Sequence, residues 1–165
     1  MTQKVTVART IRCPVDDTAA FITDPHRLFP KVTTFSRCRF VEACADGELW
    51  DVYLDSGTIH LGGRVLITSS DGRRVTWESV RGTRHSFEAL VEPDGEGSSL
   101  TMTLTFSASG LGFARLSEIV GRGLVSRNLH AAAEEIRHYL EFEREPRTNP
   151  GRRRGGRRRA GPKPG

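Results

Sequence analysis

The sequence lacks the short motifs that identify several enzyme classes. It contains no GxGxxG fingerprint, no P-loop and no GxSxG elbow, so nothing in it indicates dinucleotide binding, nucleotide hydrolysis or α/β-hydrolase chemistry. Its five histidines show no metal-ligand spacing except His130 and His138, which would lie two helical turns apart. We therefore expect no metal and no cofactor.

Long apolar runs and a cysteine framework are also absent. The N-terminal residues MTQKVTVARTIRC lack the apolar centre of a signal peptide, and no run approaches the ~20 residues of a membrane-spanning helix. Cys13, Cys38 and Cys44 form no CxxC pair and cannot all be joined to one another, which fits a reducing compartment. We predict a cytoplasmic protein without a transmembrane segment, and the sequence leaves its oligomeric state open.

Positive charge is concentrated at the C-terminus. Residues 1–146 contain all 20 acidic residues and 17 of the 25 Lys and Arg, a net charge of −3, whereas the last 19 positions contain the other eight basic residues. The segment RTNPGRRRGGRRRAGPKPG is rich in Gly, Pro and like charges and cannot form a core. We predict a folded domain over 1–145 and a disordered basic tail over 146–165.

One apolar stripe dominates the end of the predicted domain. From Phe113 to Phe142 apolar residues recur at spacings of three and four, with no proline inside the segment and Pro146 just beyond it. This spacing predicts one long helix that buries a face along its whole length. Gly121 and Gly123 each cost such a helix up to about 1 kcal/mol relative to Ala, which is consistent with a kink, with close packing or with room for a ligand.

The residues before this helix predict a mostly antiparallel β structure. Lys4–Arg12 has the β-branched pattern of a strand, and two proline-started segments, Pro14–Thr23 and Pro25–Phe29, are predicted as short helices. Between Thr34 and Ser107 six runs of strand length are separated by turn signals such as Asp-Gly. The economical arrangement is a meandering antiparallel sheet whose apolar face receives the long helix.

Alternation along the strands separates an apolar face from a polar one. The strand carboxylates fall on the polar phase: Asp51, Asp55, Glu78, Glu88 and Glu92. A carboxylate pair for general acid–base catalysis inside the sheet is therefore unsupported. The same absence favours a neutral or anionic ligand over a cationic one.

The order of elements, the segment TIRCPVDDTAAFITDPHRLFP and the Asp-Gly-punctuated strands together resemble the SRPBCC superfamily, also called START-like or birch-pollen-allergen-like, and its polyketide cyclase/dehydrase family. The resemblance implies an α+β helix-grip fold, in which a seven-stranded antiparallel sheet wraps around a long C-terminal helix, with two short helices after the first strand. It also implies an enclosed apolar cavity. Members of the superfamily bind lipids, hormones, polyketides or quinones, and some catalyse cyclisation, dehydration or hydrolysis.

Polar residues in phase with the apolar face are the candidates for chemistry. Ser79 and Arg81 share a side with Trp77, and His85 shares a side with Phe87. Arg81 and His85 flank a predicted turn, so they either orient the carbonyl or carboxylate of a ligand or, as strand-end residues, point into water. Arg81, His85 and Ser79 are the candidates for catalysis.

The set predicted to bind a ligand adds residues of the apolar rows and of the helix. Asn128 lies beside the helix stripe, where its amide either satisfies a neighbouring group or bonds a ligand. The full set is Trp50, Val52, Trp77, Ser79, Arg81, His85, Phe87, Met102, Leu104, Leu124, Asn128 and Ala132.

Three functions are consistent with these patterns. The first is binding, and with it transport, of a hydrophobic small molecule or lipid in an internal cavity. The second is an enzyme of the polyketide cyclase/dehydrase type. The third is an adaptor whose basic tail binds the phosphates of nucleic acid or the surface of an anionic membrane, although such tails are more often solvated extensions without a partner.

Overall fold

The structure, a computed structural model, describes residues 2–56, 59–107, 114 and 123–145, without the side chains at 55, 56 and 59–61. Within these ranges the chain forms strands, two short helices, a 3-10 turn, a longer helix and a terminal π-helical turn. In chain order they are β1 (Thr2–Ile11), α1 (Val15–Ile22), α2 (Pro25–Leu28), the 3-10 turn Phe29–Lys31, β2 (Arg37–Cys44), β3 (Gly47–Ser56), β4 (Ile59–Ser70), β5 (Arg74–Gly82), β6 (His85–Asp94), β7 (Gly97–Ser107), α3 (Leu124–His138) and the π-helical turn Tyr139–Glu143.

The strands form one antiparallel sheet. Its order is β1-β7-β6-β5-β4-β3-β2, so each of β2 to β7 pairs with its neighbour in sequence and β1 closes against β7. Helix α3 lies across one face of this sheet. The predicted helix-grip arrangement, with two short helices between the first and second strands, is confirmed.

Local sequence explains the two short helices. Pro14 precedes α1, and Asp16 and Asp17 occupy its first turn, where they interact favourably with the helix dipole. The carboxylate of Asp24 accepts a hydrogen bond from the backbone N–H of His26 at 3.0 Å, and the intervening proline takes the first helical position of α2.

Buried hydroxyl groups fix α1 to β7. Ser98 Oγ donates to the carbonyl oxygen of Cys13 at 3.0 Å, so it is the Thr18 hydroxyl that donates to Ser98 Oγ, at 2.8 Å. Thr18 and Ser98 are fully buried. Because a buried polar group without a partner is costly, this chain of hydroxyls selects one position for the helix.

Helix α3 is shorter than the segment predicted for it. It begins at Leu124, and Gly123 before it has φ of +68°, a left-handed conformation that ends a helical run and that glycine adopts without strain. The prediction that Gly123 lies inside one continuous helix is therefore wrong. Residues 113 and 115–122 lie outside the described part of the chain, as does the predicted tail, 146–165.

The predicted apolar stripe of α3 packs against the sheet. The buried residues of this stripe and of the turn after it are Val125, Leu129, Ala132, Ala133, Ile136 and Leu140. Polar contacts hold both flanks of the helix: Arg9 Nε of β1 donates to Glu134 at 2.6 Å, and Glu135 accepts from the backbone N–H of Thr34 at 3.2 Å.

The outer face of the sheet carries the charged pairs. Hydrogen bonds from Arg64 and Arg39 lower the pKa of Asp51 to about 2, and Arg74 pairs with Glu88 at 2.8 Å. This placement agrees with the prediction that the strand carboxylates lie on the polar face. Of the five carboxylates in that prediction, the one at position 55 has a side chain outside the described part of the chain. Among the described helices, none combines the length and apolar character needed to cross a membrane.

Candidate functional site

A cavity lies between α3 and the inner face of the sheet. Its volume is about 50 Å³, and part of it is open to solvent. Strands β3 to β7, the loop before β2, and the helix contribute to its wall. The described wall residues are Phe35, Val52, Leu54, Gly62, Trp77, Thr83, His85, Phe87, Leu104, Phe106 and Leu129.

Aromatic rings form the inner part of this wall. The ring of Trp77 lies 4.4 Å from that of Phe87 and 5.5 Å from that of Phe35, measured between centroids. Phe29 packs behind them, 5.2 Å from Trp77. Large fixed rings with aliphatic side chains around them create a surface that favours apolar molecules over water.

His85 is the ionisable side chain on the described wall. Its Nδ1 lies 2.7 Å from the carbonyl oxygen of Thr83, and its backbone N–H donates to Ser79 Oγ at 3.0 Å. Burial lowers the pKa of His85 below its ordinary value, and the hydrogen bond to the Thr83 carbonyl opposes this only in part. At neutral pH the imidazole is therefore uncharged.

The position of His85 follows from the way the β5–β6 ladder ends. The last paired residues are Glu78 and Ser86. Beyond them the strands separate into the turn. There the backbone N–H of His85 donates its hydrogen bond to the hydroxyl of Ser79, and not to a carbonyl oxygen of β5. Ser79, predicted as a ligand or catalytic residue, thus holds His85 in place.

Arg81 does not lie on the cavity wall, and its predicted orientation is wrong. Val65 pairs with Ser79 while Arg64 pairs with Arg81, so β5 has one extra residue, Val80, between them. A one-residue bulge reverses the direction of the side chains beyond it. Arg81 therefore shares the outer face with Arg64 and is exposed.

A glycine pair in β4, Gly62-Gly63, does not form a bulge. Strand β4 stays in register with β3 through both glycines. These glycines instead allow close backbone approach, since a Cβ at Gly63 would lie 2.0 Å from the carbonyl oxygen of Arg81.

The other predicted ligand residues divide into two groups. Those on the cavity wall are Val52, Trp77, His85, Phe87 and Leu104. Those buried elsewhere include Met102 and Ala132 in the core, and Leu124 packs beside Phe106 and Val125. Trp50 borders a separate groove near β2, where its indole N–H donates to Glu48 at 2.8 Å.

The prediction omitted several wall residues. Leu54 and Phe106 continue the same alternating rows as Val52 and Leu104, so the pattern contained their signal. Leu129 belongs to the helix stripe. Phe35 lies in a loop, where no periodicity marks an inward-facing side chain.

Asn128 keeps a polar atom unsatisfied. Its Nδ2 is buried and has no hydrogen-bond partner within the described part of the chain. Of the two alternatives for Asn128, a neighbouring hydrogen-bond partner is therefore not found for Nδ2 among the described residues. The residue lies one turn before Ala132, on the flank of α3 that also carries Glu135.

Two observations on the described residues concern metal ligands and thiols. No group of three His, Cys, Asp or Glu side chains within them is placed to hold a metal ion. Burial raises the pKa of the Cys38 thiol to about 12, so the reactive thiolate is disfavoured at neutral pH.

Solved structures share this fold at low sequence identity. TTHA0849 from Thermus thermophilus matches with a TM-score of 0.72 and 17% identity over 84% of this chain and 97% of that one. Zhui aromatase/cyclase from Streptomyces sp. R1128 matches with a TM-score of 0.68 and 15% identity, over 87% and 98%. Ginseng major latex-like protein 151 from Panax ginseng matches with a TM-score of 0.62 and 15% identity, over 84% and 97%. A comparison with curated protein sequences gives no match.

The sequence itself matches a family over most of its length. Residues 2–141 match the family described as polyketide cyclase / dehydrase and lipid transport. This range runs from the start of β1 into the π-helical turn Tyr139–Glu143, and it includes every strand that contributes to the cavity wall. The chain therefore belongs to the polyketide cyclase/dehydrase and lipid transport family, within the SRPBCC superfamily.

Proposed function

We propose that the protein binds a hydrophobic small molecule or lipid in the cavity between α3 and the sheet. The observation that carries the proposal is the wall itself, where rings and aliphatic side chains surround a space that His85 also lines. Binding sites for small molecules are typically mostly apolar, with a few polar groups that fix the orientation of the ligand. The family description includes both lipid transport and enzymes, so it is compatible with this proposal.

The wall also bears on the charge of the ligand. The carboxylates Asp51 and Glu88 face away from the cavity, where they pair with arginines of the outer face. His85 is neutral at pH 7. An uncharged ligand therefore fits the described wall best, because a buried charge without a partner is costly.

A matched pair of variants tests the proposal. Leu104 lies on the cavity wall, whereas the next residue, Thr105, points to the outer face of the same strand. The full chain should bind the uncharged fluorescent probe N-phenyl-1-naphthylamine, Leu104→Trp should bind it at least tenfold more weakly, and Thr105→Trp should bind it normally. Circular dichroism would confirm that both variants fold.

Native mass spectrometry of freshly purified protein supplies a second readout. We expect an apolar molecule to remain bound to the full chain or to be taken up from a lipid extract. A protein that carries no ligand, takes none up and does not bind the probe would overturn the proposal. Equal probe binding by both Trp variants would place the site elsewhere.

A cyclase or dehydrase is the second candidate, and it is favoured by the location of His85. A neutral imidazole on the wall of an apolar cavity is suited to accept a proton from a bound substrate. One solved structure of similar fold is an aromatase/cyclase. The test is turnover of a linear aromatic polyketide analogue: His85→Phe should abolish it, and turnover that persists in this variant would exclude the role.

A further inference from the structure

The orientation of His85 identifies which ring nitrogen carries its proton. Nδ1 lies 2.7 Å from the carbonyl oxygen of Thr83. A carbonyl oxygen can only accept a hydrogen bond, so Nδ1 must be the donor and must carry the proton. In a neutral imidazole the other nitrogen, Nε2, is then unprotonated and acts as an acceptor.

The hydrogen bond between Nδ1 and Thr83 opposes rotation of the His85 ring. The Thr83 carbonyl holds the ring, and Ser79 Oγ holds the backbone at 3.0 Å. The ring also lies beside Phe106, with 6.3 Å between centroids. Rotating the ring to expose Nδ1 would break the bond to Thr83 in a partly buried position, which carries a desolvation cost.

The acceptor Nε2 lacks a partner among the described residues. No hydrogen bond within them involves this atom, although His85 lies on the cavity wall. Most of the wall around it consists of carbon side chains such as Phe87 and Phe106. The side chain therefore offers an incoming molecule a lone pair and no N–H.

We propose that the cavity selects apolar molecules that carry a hydroxyl group, which donates a hydrogen bond to Nε2 of His85. This inference rests on the proposed binding function and specifies its ligand class. It also revises the expectation that His85 orients a carbonyl or carboxylate: those groups only accept hydrogen bonds, and they would face the lone pair of Nε2.

Three probes of similar size and different polar group test the inference on the full chain. They are 2-naphthol, which can donate; 2-methoxynaphthalene, which cannot; and 2-naphthoate, which is negatively charged at pH 7.5. Each is measured by displacement of N-phenyl-1-naphthylamine. We expect 2-naphthol to bind about three- to tenfold more tightly than its methyl ether, the usual worth of one hydrogen bond, and 2-naphthoate to bind most weakly.

Variants connect this preference to His85. His85→Phe should reduce the ratio of the two affinities to about one. The control variant, His138→Ala, changes an exposed histidine outside the cavity and should keep the ratio. Equal binding of naphthol and ether by the unmodified protein overturns the inference but leaves the proposed function intact, as does tightest binding by naphthoate. Failure of the fluorescent probe itself to bind overturns both.

A spectroscopic readout avoids any dependence on the folding of the Phe variant. Nitrogen-15 NMR of the unmodified protein distinguishes protonated from unprotonated ring nitrogens. We expect Nδ1 of His85 to be protonated and Nε2 to be unprotonated, and the Nε2 resonance to move on addition of 2-naphthol but not of the ether. A proton on Nε2 in the free protein, or an Nε2 resonance that does not move on addition of 2-naphthol, would contradict the inference.

Discussion

Truncation of Leu129 should measure how empty the cavity is. Leu129 and Leu140 are 4% and 3% exposed and lie on the same apolar stripe. Leu129 is on the cavity wall, whereas Leu140 packs in the core outside it. If buried area alone mattered, the two Leu→Ala substitutions would lower the free energy of unfolding equally. An open cavity beside Leu129 predicts unequal losses.

The magnitudes follow from the contacts that each side chain loses. Removing three carbon groups costs roughly 2.4 kcal/mol at about 0.8 kcal/mol per group. At a closely packed site the void left behind adds to this, up to a total of about 5 kcal/mol. One side of Leu129 already faces open space, so it loses fewer van der Waals contacts. We expect about 2 kcal/mol for Leu129→Ala and about 4 kcal/mol for Leu140→Ala.

Urea denaturation followed by tryptophan fluorescence measures both values. The slopes of the transitions should agree among the three proteins, which shows that the midpoints report stability. Addition of a bound apolar probe should stabilise the unmodified protein, because the ligand binds only the folded state. Equal losses for the two variants, or a larger loss at Leu129, would refute the reasoning from an open cavity.

Three further predictions concern other parts of the chain. Ser98→Ala leaves the Thr18 hydroxyl without its buried acceptor and should lower the free energy of unfolding, measured by urea denaturation, by about 2–3 kcal/mol. Because Thr18→Val removes the hydroxyl left unpaired, the Thr18→Val/Ser98→Ala double variant should lose less stability than the two single variants added together. A loss equal to or larger than that sum would contradict this prediction. The pKa of Asp51 is about 2, so its ion pairs contribute stability above the ordinary carboxyl pKa of 3.8 and lose it as the pH falls toward 2. In Asp51→Asn the free energy of unfolding should therefore depend less on pH over that range. The same pH dependence in the variant and the unmodified protein would contradict this prediction. Deleting 147–165 removes eight basic residues and should abolish salt-sensitive binding to nucleic acid or anionic vesicles; binding that survives the deletion would exclude the tail.

Period-two alternation explains why much of the cavity wall could be predicted. Trp77, Phe87 and Leu104 lie in strands with one buried face, so their order in the chain determines their direction. The helix stripe was equally informative, since Leu129 and Ile136 repeat at the helical period. For these residues local pattern and global fold agree.

The failures have local physical causes. A single extra residue, Val80, reverses Arg81, and no composition signal marks a bulge at a valine. Gly123 could equally have been a kink inside a helix or its beginning, and only the left-handed backbone distinguishes these. Phe35 enters the cavity from a loop, where tertiary packing alone decides its direction.

Methyl NMR tests the central claim most directly, because it locates a bound molecule. With N-phenyl-1-naphthylamine added to the methyl-labelled full chain, we expect the resonances of Val52, Leu104 and Leu129 to shift together and saturably. The methyls of Val91 and Leu140, buried in the core outside the cavity wall, should stay in place. Shifts confined to residues outside the cavity wall, or no shifts at concentrations that saturate the probe's fluorescence, would contradict ligand binding between helix and sheet.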